Sequence, residues 1–521
     1  MKRLHQFFIL LILYSLVLGI RIYWLSQKNG FHVDEGLSVA IACYNDYMYT
    51  SNYEFNKEYT GKEVKEISLC DNDSLKNVLG DIYRLWKDNR DSPHTNLYYS
   101  FLRLSLAGLK TGDIKPIILR GGILNLIFFT ISFAFFFLLM RLLFPDSKLL
   151  QFAATTCAFL STATISNTLF LRLYQIQETM FIVFCYCFFK TFYLNKYVIH
   201  NDKLLYINAR IIFILSLIAA FTLLTGYYSI IFIGLFGLYV IFVNYKKQDY
   251  MEIKFYILTL FLGLLFAQVF YTRYYAGYIS GRATQTASTL FSDFFVNLKS
   301  SMTAAVTLFH RHFFTWPVII VCALCLIYLV FLIPRKYKFL IQKPALYILM
   351  VSMIYSLIIL YIAPYKILRY VMAVFPFLVI LPVMLLNSIG KKITIAIVLL
   401  LCAAFLKNAL NQNNIENIDH NKPDEYYFSQ NVDVPVFVFN KSPWKYADLV
   451  PYFNDEQVYY FIDKYEDIDL LLHREYYLVI EKTLEMPDTD LAQFEMENES
   501  SISYFICRKY VNTESSHPHS R

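Results

Sequence analysis

Continuous runs of about twenty apolar residues restrict the fold of this chain more than any other feature of its sequence. The first run covers residues 7–25, and similar runs recur as far as residue 408. A helix of this length crosses the hydrocarbon core of a bilayer, which is about 30 Å thick. Only 17% of the 521 residues are charged, against about 25% in ordinary soluble proteins. The sequence therefore predicts a mainly α-helical, polytopic membrane protein.

The first apolar run is interpreted as an uncleaved span. It ends in Tyr23 and Trp24, which favour the membrane interface, rather than in the small residues of a cleavage site. The apolar but shorter segment 96–109 is interpreted as a re-entrant or interfacial helix. Further spans are predicted near 116–140, 150–169, 176–194, 211–226, 228–244, 253–272, 315–333, 345–363, 367–388 and 392–408.

Lysine and arginine clusters predict the orientation of the chain. They fall at alternate connections between the spans, for example at Lys246 and Lys247, and such clusters mark the cytoplasmic side. The pattern indicates about eleven spans, within one or two, with the N-terminus inside and the C-terminus outside. The chain is then expected in the plasma (inner) membrane, with outward segments at 26–95, at 273–300 and after about 409.

The segment after residue 409 differs in composition from the rest. It holds about 21 Asp and Glu against about 9 Lys and Arg, although the whole chain carries a net charge of +7. We therefore predict two domains: a membrane domain at 1–408, which includes the outward loop 26–95, and a small extracytoplasmic α/β domain at 409–521. Its predicted strands are 434–439, 458–462, 476–481 and 502–507.

The first outward loop contains a predicted amphipathic helix between residues 71 and 89. A helix with one apolar face, next to a membrane span, is typical of the bilayer surface. The residues on that face are Leu75, Val78, Leu79, Ile82, Leu85 and Trp86.

The nine cysteines indicate no metal site. Cys322 and Cys325 form a CxxC pair, but they lie inside an apolar run and lack a second pair. Cys43 and Cys70 share the first outward loop. Two interpretations of this pair stay open. An oxidising compartment permits a disulfide between the two cysteines, and otherwise they are reduced thiols.

The motifs of soluble enzymes are absent from the sequence. It has no Walker A loop, no GxGxxG after a strand, no HExxH and no GxSxG. The missing phosphate-binding loop argues against an ATP-driven pump, so a reaction must draw on an activated substrate or an ion gradient. No nucleic-acid partner is expected.

Two carboxylates, Asp34 and Glu35, follow the first span directly. Three interpretations are open at this point. Asp34 caps the helix that follows, or it is a general base toward a hydroxyl acceptor, or the pair holds a divalent cation beside a phosphate. The same loop ends in a second polar cluster that contains Asp91 and His94. An ordinary loop before a helix would have a similar composition.

Three cations lie at the outer ends of predicted spans: Arg172, Lys366 and Arg369. Ionisable residues at such a depth are costly and indicate function. For any single one of them, a long side chain that extends to the membrane interface is a sufficient explanation. Arginine holds phosphate through paired hydrogen bonds and stabilises it as a leaving group. Carboxylates and cations from distant parts of the chain are therefore predicted to gather at one membrane face.

In the order of these motifs the sequence resembles the GT-C superfamily of membrane glycosyltransferases. The similar branch is the family 39-like group, with protein O-mannosyltransferases and aminoarabinose transferases. The resemblance covers residues 5–390. It departs from the usual His-Pro-Pro-Leu-Tyr-Tyr segment where Thr95 and Asn96 replace both prolines, and the tail after 409 matches no family domain. The matching motifs are the acidic His32, Val33, Asp34 and Glu35, then His94, Leu97, Tyr98 and Tyr99, then Arg120, and finally Arg369, Tyr370 and Pro376.

The resemblance implies a GT-C-type fold and an inverting hexosyl- or pentosyl-transferase. The donor would be a polyprenyl-phosphate sugar, and the acceptor an extracytoplasmic hydroxyl of a glycan, lipid or protein. The resemblance leaves the cofactor undetermined, and a divalent cation is one option. The implied site residues are Asp34 as general base, Glu35 and Asp91 as supports of the acceptor or a cation, Arg172, Lys366 and Arg369 on the lipid phosphate, and His94 and Tyr98 as acceptor or loop supports.

Two other classes of protein share these substrates. A transporter or flippase for lipid-linked glycans predicts ionisable residues near the bilayer midplane and internal repeats, and no convincing repeat is present. A glycan polymerase or ligase predicts one large late outward loop, whereas here the long loop 26–95 is early and carries the motifs.

Overall fold

The structure, a computed structural model, is mostly helical with one small sheet. Residues 280–293 of the second predicted outward segment, and Cys70 of the Cys43–Cys70 pair, lie outside the residues it describes. The bridge between these cysteines therefore stays a prediction. The described residues are 2–45, 53–69, 74–91, 94–109, 113–194, 202–279, 294–331, 343–389, 391–416, 418, 427–464, 475–484, 494–502 and 504–512.

The chain divides into two compact units, and each combines distant parts of the sequence. The predicted division at residue 409 did not anticipate that most of the first outward loop groups with the tail; the boundary itself stays a prediction. We call the first unit the helical unit and the second the sheet unit. The helical unit contains Met1–Leu25, Trp86–Tyr98 and Gly122–Glu416, and the sheet unit contains Ser26–Leu85, Tyr99–Gly121 and Asn417–Arg521.

A helix lies at each predicted span, and the chain is an integral membrane protein. Six of the described helices are long and apolar enough to cross a bilayer, or up to eight if each of two bent pairs is one span. The count of about eleven stays a prediction. The apolar helices, of which only some are this long, are Lys2–Gln27, Ile114–Leu143, Lys148–Leu160, Thr162–Leu169, Tyr174–Phe189, Asp202–Leu223, Ser229–Lys246, Tyr250–Phe270, Phe294–His312, Trp316–Phe331, Lys343–Ile362, Ile380–Asn387 and Lys391–Ala409.

The predicted span 150–169 is broken in the middle. Lys148–Leu160 and Thr162–Leu169 meet at an angle of 55°, and Ser161 between them has extended backbone angles. The predicted continuous span did not anticipate this break, although residues 161–168 from the break onward mostly carry hydroxyl or amide groups. A break among apolar helices leaves carbonyl groups that need other donors.

The sheet unit contains a six-stranded mixed sheet. Its strands are Glu58–Thr60 (β1), Val436–Phe439 (β2), Val458–Ile462 (β3), Glu475–Glu481 (β4), Phe494–Ile502 (β5) and Phe505–Asn512 (β6). Their order in the sheet is β1-β3-β2-β4-β6-β5. β2 pairs in parallel with both β3 and β4, and all four of its residues are buried, as is typical of a central parallel strand. The other pairings are antiparallel.

Two features of this sheet differ from the sequence prediction. The predicted strand 502–507 is wrong, because Ile502 ends β5 and pairs with Phe505 at the start of β6. The second difference is that β1 comes from the first outward loop and pairs with β3. The short helices of this unit are Val33–Ala42, Gly61–Ser68, Leu75–Lys87, which ends in the helical unit, Leu97–Ser105, which begins in the helical unit, and Tyr446–Leu449.

The predicted amphipathic helix is Leu75–Lys87, and its apolar residues divide between two sides. Val78 and Leu85 are buried in the sheet unit, whereas Leu75 and Leu79 are exposed. Between them, Asp81 forms a buried ion pair with Arg103, with Oδ2 2.9 Å from Nε. The exposed side agrees with the predicted location at a bilayer surface, which stays a prediction.

Candidate functional site

The acidic motif forms the start of the helix Val33–Ala42. His32 is the N-cap: its Nδ1 accepts the backbone N–H of Asp34 at 3.1 Å, and its own N–H donates to Oε2 of Glu35 at 2.8 Å. This is a capping box, which satisfies the free donors of the first helical turn. The interpretation of Asp34 as the cap is therefore wrong. Its carboxylate is partly exposed, with Oδ2 3.5 Å from Nδ1 of His32.

The side chain of Glu35 is buried and forms an ion pair. Its Oε2 lies 2.9 Å from Nζ of Lys28, and both side chains are fully buried. With His32 bonded to the same oxygen, Glu35 fixes the turn that presents Asp34. Because its charge is already neutralised by Lys28, the Asp34 and Glu35 pair fits a divalent cation poorly. The sequence reasoning missed Lys28, because a lysine just beyond a span is common at membrane interfaces.

In the helical unit, Asp91, His94 and Arg172 lie together. Oδ2 of Asp91 is 2.8 Å from Nδ1 of His94 and 3.6 Å from a terminal guanidinium nitrogen of Arg172. All three side chains are at least four-fifths buried. The structure thus brings together three residues that the sequence placed at the same membrane face.

The loop that carries Asp91 and His94 is held by Asn89. Its side-chain amide donates to the carbonyl of His94 at 2.8 Å, and its Oδ1 accepts the N–H of Asp91 at 3.1 Å. The hydroxyl of Tyr271 donates to the same oxygen at 2.9 Å.

Thr95 and Asn96, which replace the two prolines of the usual family segment, form hydrogen bonds to backbone carbonyls. The hydroxyl of Thr95 donates to the carbonyl of Leu224, and Nδ2 of Asn96 donates to the carbonyl of Phe270 at 3.1 Å. Both acceptors lie at C-terminal helix ends, where carbonyls lack helical partners. Proline side chains could not make these bonds.

Arg172 is held in place through Asn125. The amide of Asn125 donates to the carbonyls of Thr168 and Phe170 at 3.0 and 2.9 Å, and the N–H of Arg172 donates to the same Phe170 carbonyl at 2.7 Å. The hydroxyl of Tyr98 donates to Oδ1 of Asn125 at 3.4 Å. The role of Tyr98 as an acceptor or loop support stays a prediction.

Arg369 lies in the helical turn Leu368–Tyr370, and Lys366 lies in the segment just before that turn. The guanidinium of Arg369 lies 5.4 Å from the ring centroid of Tyr370, and Tyr370 packs edge-on against Tyr174 with centroids 6.5 Å apart. Arg369 is thus close to the start of the helix that follows Arg172. Lys366 lines an open groove of about 500 Å³ together with Lys299.

A buried arginine in the first span was not identified from the sequence. Arg21 is fully buried and donates to the carbonyl of Phe159 at 2.8 Å and to the hydroxyls of Thr164 and Thr168 at 3.2 and 3.1 Å. Phe159 lies in the last turn of the first half of the broken helix, so Arg21 satisfies a carbonyl that the break leaves without a helical partner. Its charge inside an apolar run was the available signal.

A second buried charge, Glu178, lies in the helical unit. It accepts hydrogen bonds from Asn167 and Gln175, both at 3.0 Å. No cluster of three or more His, Cys, Asp or Glu that could hold a metal ion occurs within the described part of the chain. Of the predicted site residues, Asp34 and Glu35 belong to the sheet unit, and Asp91, His94, Tyr98, Arg172, Lys366 and Arg369 belong to the helical unit.

The helices and the small sheet together form a fold similar to that of a solved structure, ArnT, which agrees with the resemblance at the level of the fold. Among solved structures the chain is similar to ArnT from Cupriavidus metallidurans bound to undecaprenyl phosphate, with a TM-score of 0.51 and 11% identity over 98% of this chain and 99% of that chain. The apo form of the same ArnT gives a TM-score of 0.45 at the same identity and coverage. No family model matches the chain, and no curated protein does.

Proposed function

We propose that the chain is an inverting glycosyltransferase that moves a hexose or pentose from a polyprenyl-phosphate donor to an extracytoplasmic hydroxyl. The observation that carries this proposal is the presentation of Asp34 at a helix start whose cap is made by His32 and Glu35. The carboxylate of Asp34 is therefore not needed for the cap. The GT-C fold supports the proposal, since the similar ArnT is bound to undecaprenyl phosphate.

In this reaction Asp34 acts as the general base. It takes the proton of the acceptor hydroxyl, the oxygen attacks the anomeric carbon, and the bond from that carbon to the phosphate oxygen breaks. The configuration inverts in this single displacement, and polyprenyl phosphate leaves. A carboxylate can remove the proton in the transition state, when the acidity of the hydroxyl rises. Glu35 and Lys28 keep the motif in its conformation.

Arg172, Lys366 and Arg369 bind the donor phosphate in this proposal. A phosphate on a lipid lies near the membrane boundary, where cations are favourable partners. Asp91 holds Arg172 through a contact of 3.6 Å, and His94 orients Asp91. The guanidinium of Arg172 then stabilises charge as it develops on the leaving phosphate.

The proposed topology has about eleven spans, with the N-terminus in the cytoplasm. The active site and the tail after residue 409 then lie on the extracytoplasmic side. Cationic clusters at alternate connections support this orientation. It puts the acidic motif on the side where a lipid-linked donor meets envelope acceptors.

Replacing Asp34 tests the proposal. In a strain that lacks the chain, the variants Asp34→Asn and Asp433→Asn are expressed, and surface lipids, glycans and glycoproteins are compared by mass spectrometry. Asp433 is an exposed aspartate of the sheet unit and serves as the matched control. We expect one sugar modification to be restored by the control and lost with Asp34→Asn at equal membrane levels. Full restoration by Asp34→Asn would contradict the assigned base.

One observation favours a second candidate, a transporter or flippase for lipid-linked glycans. Arg21 and Glu178 are buried charges in the helical unit, and charges inside a membrane often mark transport paths. The contacts of Arg21 with the broken helix give it a structural use instead. A flippase would accumulate its lipid-linked substrate on one side when deleted, whereas a transferase would accumulate unmodified acceptor.

A further inference from the structure

The chain segment just before the acidic motif is bound by a residue of the C-terminal tail. The hydroxyl of Tyr452 accepts the backbone N–H of Phe31 at 2.8 Å and donates to the carbonyl of Phe31 at 3.3 Å. Phe31 is fully buried, and Tyr452 nearly so. One hydroxyl thus satisfies both backbone groups of a residue 421 positions earlier in the chain.

The helix that carries Asp34 also packs closely on a short helix of the tail. A Cβ atom at Gly36 would lie 2.7 Å from the carbonyl oxygen of Ala447 and 3.1 Å from its Cβ. The obstacle is backbone in the helix Tyr446–Leu449, so it cannot move aside as a flexible side chain would. Only glycine at position 36 permits this distance between the two helices.

Further along the same loop, three more contacts attach it to the tail. The N–H of Asn56 donates to the carbonyl of Phe461 at 2.9 Å, and the N–H of Gly61 donates to the carbonyl of Gln457, also at 2.9 Å. The ring of Tyr53 stacks on that of Phe461 with centroids 3.9 Å apart. Together with the pairing of β1 and β3, these contacts make the loop and the tail one folded body.

We propose that the C-terminal tail positions the catalytic base, and that Tyr452 and the contact between Gly36 and Ala447 form the clamp that does so. The inference rests on the proposed function, since it assigns the tail a task in the same site. Tyr452 is a positioning residue, because it contacts the backbone before the motif and not the reacting atoms. The clamp fixes the direction in which the Asp34 helix starts, and small displacements of a base reduce rates strongly.

The test removes single atoms from the clamp and uses matched controls. Tyr452→Phe deletes the hydroxyl that holds Phe31. Tyr459→Phe deletes a hydroxyl of the same unit that is equally engaged, since it donates to Gln457 at 2.7 Å and accepts from the N–H of Asn454 at 2.9 Å. Gly36→Ala closes the helix contact, and Gly80→Ala adds a methyl group where nothing lies within 4 Å.

Three measurements are made on the purified full chain and in the complemented deletion strain. They are hydrogen exchange of the peptide that spans residues 31–38, binding of undecaprenyl phosphate, and sugar transfer to the envelope. For Tyr452→Phe and Gly36→Ala we expect exchange at 31–38 to become about tenfold faster or more. Transfer should fall by about ten- to a hundredfold, with unchanged binding of undecaprenyl phosphate. Both controls should keep slow exchange at 31–38 and transfer near the wild-type level.

The outcomes separate the clamp from the proposed function. If Asp34→Asn is inactive but Tyr452→Phe behaves as Tyr459→Phe does in both exchange and transfer, the clamp is overturned and the base assignment stands. If Asp34→Asn transfers sugar normally, the base assignment is overturned, and the positioning role with it. A fall in undecaprenyl phosphate binding equal to the fall in transfer would also contradict the clamp, because it would indicate general unfolding.

Discussion

Lys28 and Glu35 form an ion pair from which solvent is fully excluded, with Nζ 2.9 Å from Oε2. Removing two charges from water is costly, and good geometry with further hydrogen bonds must compensate for it. Here the N–H of His32 supplies such a bond to the same carboxylate oxygen. The pair therefore joins the residue just after the first helix to the start of the acidic motif.

Breaking this pair on one side should destabilise the sheet unit strongly. Glu35→Gln leaves the Lys28 ammonium buried without its counterion, and we expect a loss of about 3–5 kcal/mol. Lys28→Met leaves the carboxylate in the same situation. The double variant Lys28→Met/Glu35→Gln should lose much less than the sum, as measured by chemical unfolding of the full chain in detergent. Additive losses would contradict the buried pair.

Arg369 should contribute to donor binding. Arg369→Ala removes a guanidinium that could form charged hydrogen bonds with the phosphate, each about 1.5–3 kcal/mol. Undecaprenyl phosphate should then bind about ten- to a hundredfold more weakly, as measured by titration of the purified protein. Arg311→Ala, which removes an exposed arginine of the same unit, is the control. Equal affinities for the two variants would exclude a phosphate role for Arg369.

Arg21 should be needed for stability rather than for phosphate binding. Arg21→Met removes the donor to the buried Phe159 carbonyl, and a buried group left without a partner costs about 1–3 kcal/mol. The variant also loses two hydrogen bonds to the hydroxyls of Thr164 and Thr168, which keep other partners. We expect a clearly lower melting temperature in detergent. Arg210→Met, at an exposed arginine, should melt as the wild type does. An unchanged melting temperature for Arg21→Met would remove the structural explanation and favour the transport hypothesis.

The tail should lose stability in acid through Glu481. Burial acts to raise the pKa of this carboxyl, but hydrogen bonds from Lys445, Thr483 and Ser442 outweigh it and lower the pKa from 4.5 to about 2. A lowered pKa stabilises the fold above the unfolded value, and this stabilisation disappears as the pH falls from about 4.5 to about 2. Glu481→Gln should therefore be less stable than the wild type at pH 7.

The difference in stability between the wild type and Glu481→Gln should shrink as the pH falls from about 4.5 to about 2. Hydrogen exchange of β4 at pH 7, 4 and 3 measures it, and comparison with the variant cancels the other carboxyl groups that titrate in the same range. A difference that stays constant from pH 7 to pH 3 would show that the ionised carboxylate contributes no pH-dependent stability.

The sequence alone determined the helical membrane class, the main helices and the acidic motif. These depend on local properties: an apolar run of sufficient length forms a helix in lipid wherever it occurs. The same locality explains three of the four tail strands, whose β-rich runs coincide with β2, β3 and β4. The fourth prediction failed at Ile502 because a tight reversal between two strands leaves the apolar pattern unbroken.

Only the tertiary structure decided how the motif is held. His32 rather than Asp34 caps its helix, Lys28 neutralises Glu35, and Tyr452 holds Phe31 from the far end of the chain. Arg172 likewise depends on Asn125, which lies 43 and 45 residues from the two carbonyls that it binds. Such contacts follow from packing between distant segments, and the spacing of residues along one segment carries no record of them.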